Sequence, residues 1–303
     1  IHAINSSFIV HDHCASIGQQ GEPCPSEDLT RSSFTNLHRG ILAVTFDPSR
    51  TFSVDHAAFT GTNYSIRMEG IQDPSITRCS FNVPTPFTPS IVGATYGIYS
   101  DQCTGYRIQE NHFFTSQPGA PRKVGLVIKD SGPYYNTYYN NSFENLYTGS
   151  IIQGNNADAN EELGLEVKCN DYGLTDQNTF DVALTGGTVR VQKTQGSSLD
   201  VFDPSTYTNP AGNRFSVDHA GVGDPEEDWH VQVAATVVEY FHHTPITGSR
   251  TKPDYANQPN ELLSNDQNTF WPEKSVACPS ELNSDGKEVK RLLAEGEHGE
   301  YED

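Results

Sequence analysis

The chain has 303 residues, of which 35% are hydrophobic and 19% charged, with one Met against 15 Phe and 14 Tyr. Both fractions lie below the globular average, and the scarcity of Leu and Ala with long 3.6-residue periodicity excludes a helical protein. A formal net charge of −20, from 39 acids and 19 bases, leaves no basic stripe to displace counterions. Nucleic acid and anionic membrane surfaces are thereby excluded as partners. No apolar run is long enough to cross a bilayer as a helix, so no membrane insertion is expected.

From the N-terminus, Ile1 opens directly into strand-like sequence, which reads as a processed chain or a fragment. His11-Asp12-His13, if extended, places both imidazoles on one face, a geometry compatible with metal binding. An ordinary polar strand is the better reading, because no third ligand adjoins them. Cys14 and Cys24 flank a polar Gly/Pro loop that a disulfide between them would close. The six cysteines contain no C-x-x-C pair, which removes zinc-ribbon and thioredoxin readings. Cys79, Cys103 and Cys169 fall inside the repeat, where a buried thiol fits equally well.

From residue 29 onward the sequence repeats. Phe34, Phe59, Phe81, Phe113 and Phe143 each follow by five residues an apolar position: Leu29, Val54, Ile76, Ile108 and Tyr138. Two residues before each aromatic stands a small or amide residue: Ser32, Ala57, Cys79, Asn111 and Asn141. Tyr172 continues the series with Val167 and Asn170, and Phe8 fits it loosely. A second element follows each aromatic: Gly40-Ile41, Ser65-Ile66, Gly97-Ile98, Gly125-Leu126 and Gly149.

Successive aromatics lie 25, 22, 32, 30 and 29 residues apart, so the period without insertions is in the low twenties. Such periods mark repeat architectures, and too little Leu remains for leucine-rich repeats. Gly, Pro and Asn break every unit, which excludes helical repeats, and propeller blades are longer. Short strands joined by tight turns predict an all-β, right-handed parallel β-helix. In it, like residues stack about 4.8 Å apart in internal ladders. Asn at the turn is expected to bond its equivalent in the next coil, and Gly to permit a sharp corner.

The runs GIYSDQCTGYRIQENHFF (97–114), GLVIKDSGPYYNTYYNNSFENLYTG (125–149) and GLEVKCNDY (164–172) resemble β-helix repeats of large secreted surface proteins of Bacteroidota. The resemblance covers about residues 30–215. It implies export by the type IX secretion machinery and a secreted or cell-surface location, and it supplies no catalytic residue.

Two insertions, 82–95 and 115–123, interrupt consecutive coils at the same point of the register. Stacking would bring Phe87, Arg122 and Lys123 onto one surface as a ligand-binding candidate. Counted from the corner Gly, Asp101, Lys129 and Lys168 occupy equivalent positions, and an acid with a Lys base is the equipment of a β-helix lyase. A cross-coil salt bridge explains the column as well. Asn156, Asp158, Asn160 and Glu162 alternate oxygen ligands like a calcium loop but lack its Gly and its terminal acid. Asp158 joins His11 and His13 as a weak metal candidate, and calcium is the sole cofactor considered.

After residue 173 the register decays, with Asn178-Thr179-Phe180 and Asn213-Arg214-Phe215 repeating its signature irregularly. The expected division is a parallel β-helix over 1–215, irregular coils and a cap over 216–280, and an acidic tail with the start of a helix over 281–303. The function expected is non-catalytic display, adhesion, or binding of a glycan or cell-surface protein. The alternative is a polysaccharide lyase or glycoside hydrolase acting on acidic glycans.

Overall fold

The computed structural model describes residues 1–14, 29–85, 94–116, 122–173, 178–198, 200, 202–216, 227–231, 237–244, 250–253, 262–270 and 274–282. These residues are mostly β, in parallel sheets that the chain visits in rotation. The first sheet has eight strands: His2–Ile4, Arg39–Val44, Tyr64–Glu69, Thr95–Asp101, Lys123–Lys129, Thr148–Gln153, Phe180–Leu184 and Glu227–Val231. A second, six-stranded sheet runs from Phe8–Val10 through Phe52–Asp55, Ser75–Thr77, Arg107–Gln109 and Asn136–Tyr139 to Leu165–Lys168. The third has five strands: Ser33–Thr35, Ala58–Thr60, Ser80–Asn82, His112–Phe114 and Ser142–Glu144. Each circuit of the chain from Arg39 to Glu144 adds one strand to each sheet, an arrangement compatible with a β-helix.

The repeat read from the sequence is the register of these sheets. Val54, Ile76, Ile108, Tyr138 and Val167 are successive partners in the second sheet, and each is fully buried or nearly so. Phe34, Phe59, Phe81, Phe113 and Phe143 are partners in the third, their rings stacked at 4.6–4.9 Å. Tyr172 and Phe215 extend the stack at 4.9 and 6.0 Å. Offset stacking lets large rings fill a narrow interior that one circuit could not close by itself.

The first circuit departs from expectation. Leu29 lies in a short antiparallel pair with His13–Cys14, and Val10 takes the place expected for it beside Val54. Phe8 pairs with Phe52 in the second sheet and is not part of the third sheet's aromatic column.

The amide ladder forms as the spacing predicts. Asn111 Nδ2 donates to Asn141 Oδ1 at 3.0 Å, Asn141 Nδ2 to Asn170 Oδ1 at 3.1 Å, and Asn170 Nδ2 to Asn213 Oδ1 at 3.2 Å. All four side chains are buried, so each amide satisfies polar groups that the turn would otherwise bury unpaired.

The corner glycines act differently from expectation. A Cβ on Gly125 would lie 2.6 Å from the Gly149 carbonyl oxygen and 2.7 Å from the Phe143 ring. Gly40, Gly97 and Gly149 are equally crowded. They are needed because the aromatic column leaves no room for a side chain, and none of them has a positive φ. Left-handed backbone falls instead at His56, Arg78, Glu110, Asn140 and Cys169, one residue before each turn position of the ladder.

The decay after 173 is partial. Phe180–Leu184 and Glu227–Val231 continue the first sheet past residue 215. Asn178-Thr179-Phe180 is not another ladder turn, since Phe180 partners Thr148 in the first sheet. Thr194–Gln195, Val238–Thr244 and Leu262–Phe270 form a separate parallel sheet. One helical turn, Lys274–Ala277, leads to Cys278, which is disulfide-bonded to Cys169 across 109 residues. Cys169 is therefore no free thiol, whereas Cys79 and Cys103 are free and buried. Beyond the bridge, Pro279 O accepts from Tyr139 Oη at 2.8 Å and Glu281 Oε2 accepts from Gln109 Nε2 at 2.9 Å. The C-terminal segment thus straps the second sheet. Residues 283–303 of the expected tail lie outside the described residues.

Candidate functional site

In the first sheet Ile41, Ile66, Ile98 and Leu126 point into the core, and the residues that follow them, Leu42, Arg67, Tyr99 and Val127, point outward. Two outward rows run across the strands. Arg39, Tyr64, Tyr96 and Val124 are successive partners in one. Arg67, Tyr99, Val127 and Ile151 are successive partners in the other. Their tyrosines, valines and Ile151 form a small apolar cluster separate from the core, in which Tyr96, Val124 and Val127 are buried.

The rows enclose a groove of about 360 Å³. Tyr64 and Tyr96 rings lie 4.7 Å apart, tilted by 32°, and Tyr96 and Tyr99 lie 5.2 Å apart. The Arg67 guanidinium carbon stands 5.3 Å from the centre of the Tyr99 ring, in cation–π range. Burial pushes the Tyr96 phenol up to about 12, partly countered by the Arg67 charge, so it remains a neutral donor and acceptor. Val124, Val127 and Ile151 supply an apolar floor, and Arg39 and Gln153 supply polar edges. An apolar concavity with a few directed polar groups is the general form of a small-ligand subsite.

Asp101 and Lys129 are partners in the next outward row, between Glu69 and Gln153. Lys129 Nζ donates to Asp101 Oδ2 at 2.9 Å, with Asp130 at 3.8 Å. That hydrogen bond to Asp101 raises the ammonium pKa, which moves it away from what a general base needs near neutrality. Lys168 does not join them. It partners Tyr139 in the second sheet, because Gly164-Leu165 resembles the corner signature but opens a different strand.

The paired insertions do begin and end side by side. Val83 N donates to Phe114 O at 2.8 Å, and Thr95 partners Lys123. Their middles, with Phe87, lie outside the described residues. Arg122 is exposed, with a left-handed φ of 72°. Lys123 is not a surface residue: it is fully buried, and its Nζ donates to Thr115 Oγ1 at 3.0 Å. Burial pushes its pKa down.

His11 and His13 are exposed, and His56 Nδ1 pairs with Asp12 rather than with either of them. Asp158 accepts the Glu162 and Leu163 backbone N–H groups at 2.9 and 3.3 Å, which is turn chemistry. Among the described residues no three His, Cys, Asp or Glu side chains are grouped to hold a metal ion. The Cys14–Cys24 pairing involves Cys24, outside the described residues.

Sequence reasoning missed the tyrosines. The available signal was the residue just before each corner position: Arg39, Tyr64, Tyr96 and Val124 precede Gly40, Ser65, Gly97 and Gly125. Comparison with known protein families, curated proteins and solved structures finds no match to this chain.

Proposed function

We propose that this chain is a right-handed parallel β-helix module, secreted or displayed at a cell surface, that binds a glycan without turning it over. The stacked parallel sheets, the aromatic column and the amide ladder support the architecture. The Cys169–Cys278 disulfide and the resemblance to Bacteroidota surface repeats support an extracytoplasmic placement.

The observation that carries the binding reading is the Tyr64–Tyr96–Tyr99 groove with its arginines. A sugar ring has an apolar C–H face and a hydroxyl-bearing edge. Rigid phenol rings fit the first at little entropic cost, and guanidinium and amide groups bond the second. A lyase or hydrolase reading needs a base or acid tuned near the working pH, and Lys129 is shifted the other way by Asp101.

Affinity electrophoresis in soluble polysaccharides tests the reading. Tyr96→Ala and the less buried Tyr99→Ala are each expected to weaken binding ~10-fold or more, a fraction of aromatic hot-spot energies. Unfolding midpoints taken alongside separate lost binding from lost folding. Retention of wild-type affinity by both folded variants, or release of shortened or unsaturated product, refutes the proposal.

A further inference from the structure

We infer that the ligand of this groove is an anionic glycan, one whose carboxylate or sulfate groups are gripped by Arg39 and Arg67; this rests on the glycan-binding reading. Acids outnumber bases 39 to 19 along the chain. Yet among the described residues that line the groove, two are arginines and none is Asp or Glu. A site that inverts the charge bias of its own protein is selective for the opposite charge.

The two arginines are placed for this. Arg39 starts the row continued by Tyr64 and Tyr96, and Arg67 follows Leu42 in the row continued by Tyr99 and Val127. They therefore flank the aromatic surface on neighbouring strands, about 4.8 Å apart along the stack. Arg39 is exposed and has no ion-pair partner among the described residues. Arg67 is held over the Tyr99 ring, with Glu69 at 3.6 Å on one side of its guanidinium. A guanidinium has five N–H donors, so a single carboxylate at that distance leaves donors for a ligand anion. Tyr96 and Tyr64 between them provide the stacking surface, and the wider acidic surface would repel a polyanion everywhere else.

The test compares polygalacturonate with its carboxyl-reduced, neutral counterpart, and dextran sulfate with dextran, by affinity electrophoresis and titration calorimetry. At low salt the protein is expected to bind at least one anionic polymer ~10-fold more tightly than its neutral counterpart, the scale of a single charge-assisted contact. Arg39→Gln with Arg67→Gln should remove that preference, so that the anionic and neutral polymers bind the variant alike, and raised salt should weaken only the anionic complex of the wild type. Which anionic arm responds identifies carboxylate or sulfate as the recognised group. Equal binding of charged and neutral polymers, lost in Tyr96→Ala but not in the arginine variant, overturns the inference and leaves glycan binding standing. No binding to any of the four overturns both.

Discussion

Replacing Asp181 with Asn should change how the fold's stability depends on pH. Gly149 and Asp181 occupy one inward column of the first sheet, set by the pairs Thr148 with Phe180 and Ser150 with Val182. Asp228 is next, set by Phe180 with Glu227 and Val182 with Trp229. Two carboxyl groups therefore stack on neighbouring strands inside the protein, with Asp181 fully buried and Asp228 2% exposed. Asp181 accepts from Asn178 Nδ2 at 3.0 Å and from the Ser216 backbone N–H at 2.6 Å. The interior phenols of Tyr138, Tyr172 and Tyr240 are pushed up by burial and stay neutral.

Burial outweighs the hydrogen bonds that favour the Asp181 carboxylate and lifts its pKa from 3.8 to about 7. Between those values the folded chain holds a proton that the unfolded chain releases. Its stabilising contribution is therefore complete below about 3.8 and is lost as pH rises through about 7. At about 1.4 kcal/mol per unit, the contribution lost is roughly 4 kcal/mol. Urea unfolding of the wild type and Asp181→Asn at several pH values between 4 and 8 measures it as a difference, in which titrating groups remote from Asp181 cancel. The wild type should lose a few kcal/mol relative to the variant across that range. A difference that is flat with pH, or that grows in favour of the wild type as pH rises, refutes the reading that burial keeps Asp181 protonated in the folded chain.

Phe113→Ala removes the ring stacked between Phe81 and Phe143 at 4.7 and 4.9 Å, and should cost about 3–5 kcal/mol in chemical denaturation. A cost under about 1 kcal/mol would mean the column collapses freely and does not hold the register. Cys278→Ser opens a bridge spanning 109 residues and should cost about 3–5 kcal/mol, with earlier proteolysis of the C-terminal strap. Unchanged stability and cleavage would show that the hydrogen bonds of Tyr139 and Gln109 hold the segment unaided.

Much of the interior was legible in the sequence. Val54, Ile76, Ile108 and Tyr138, like the five stacked Phe rings, are set by spacings inside one circuit. A strand only three residues long leaves each apolar residue one face to occupy, and the next circuit repeats the constraint. The Asn ladder was legible for the same reason, since a buried amide at a turn has few alternatives to its own equivalent above and below.

The outer surface was not legible, because it depends on how circuits of unequal length align. Lys168 follows a Gly just as Lys129 does, yet it stands in another sheet, since a two-letter corner signature does not fix which strand it opens. Lys123 lies beside an insertion but is buried, because Thr115 from the same excursion returns to meet its ammonium. Cys169 finds Cys278 only once the last segment is strapped over the second sheet. Spacing along the chain determined what points inward, where steric exclusion leaves one solution. Only tertiary register decided that Arg39, Tyr64, Arg67, Tyr96 and Tyr99 share a groove, since outward side chains meet no neighbour until the sheet places one beside them.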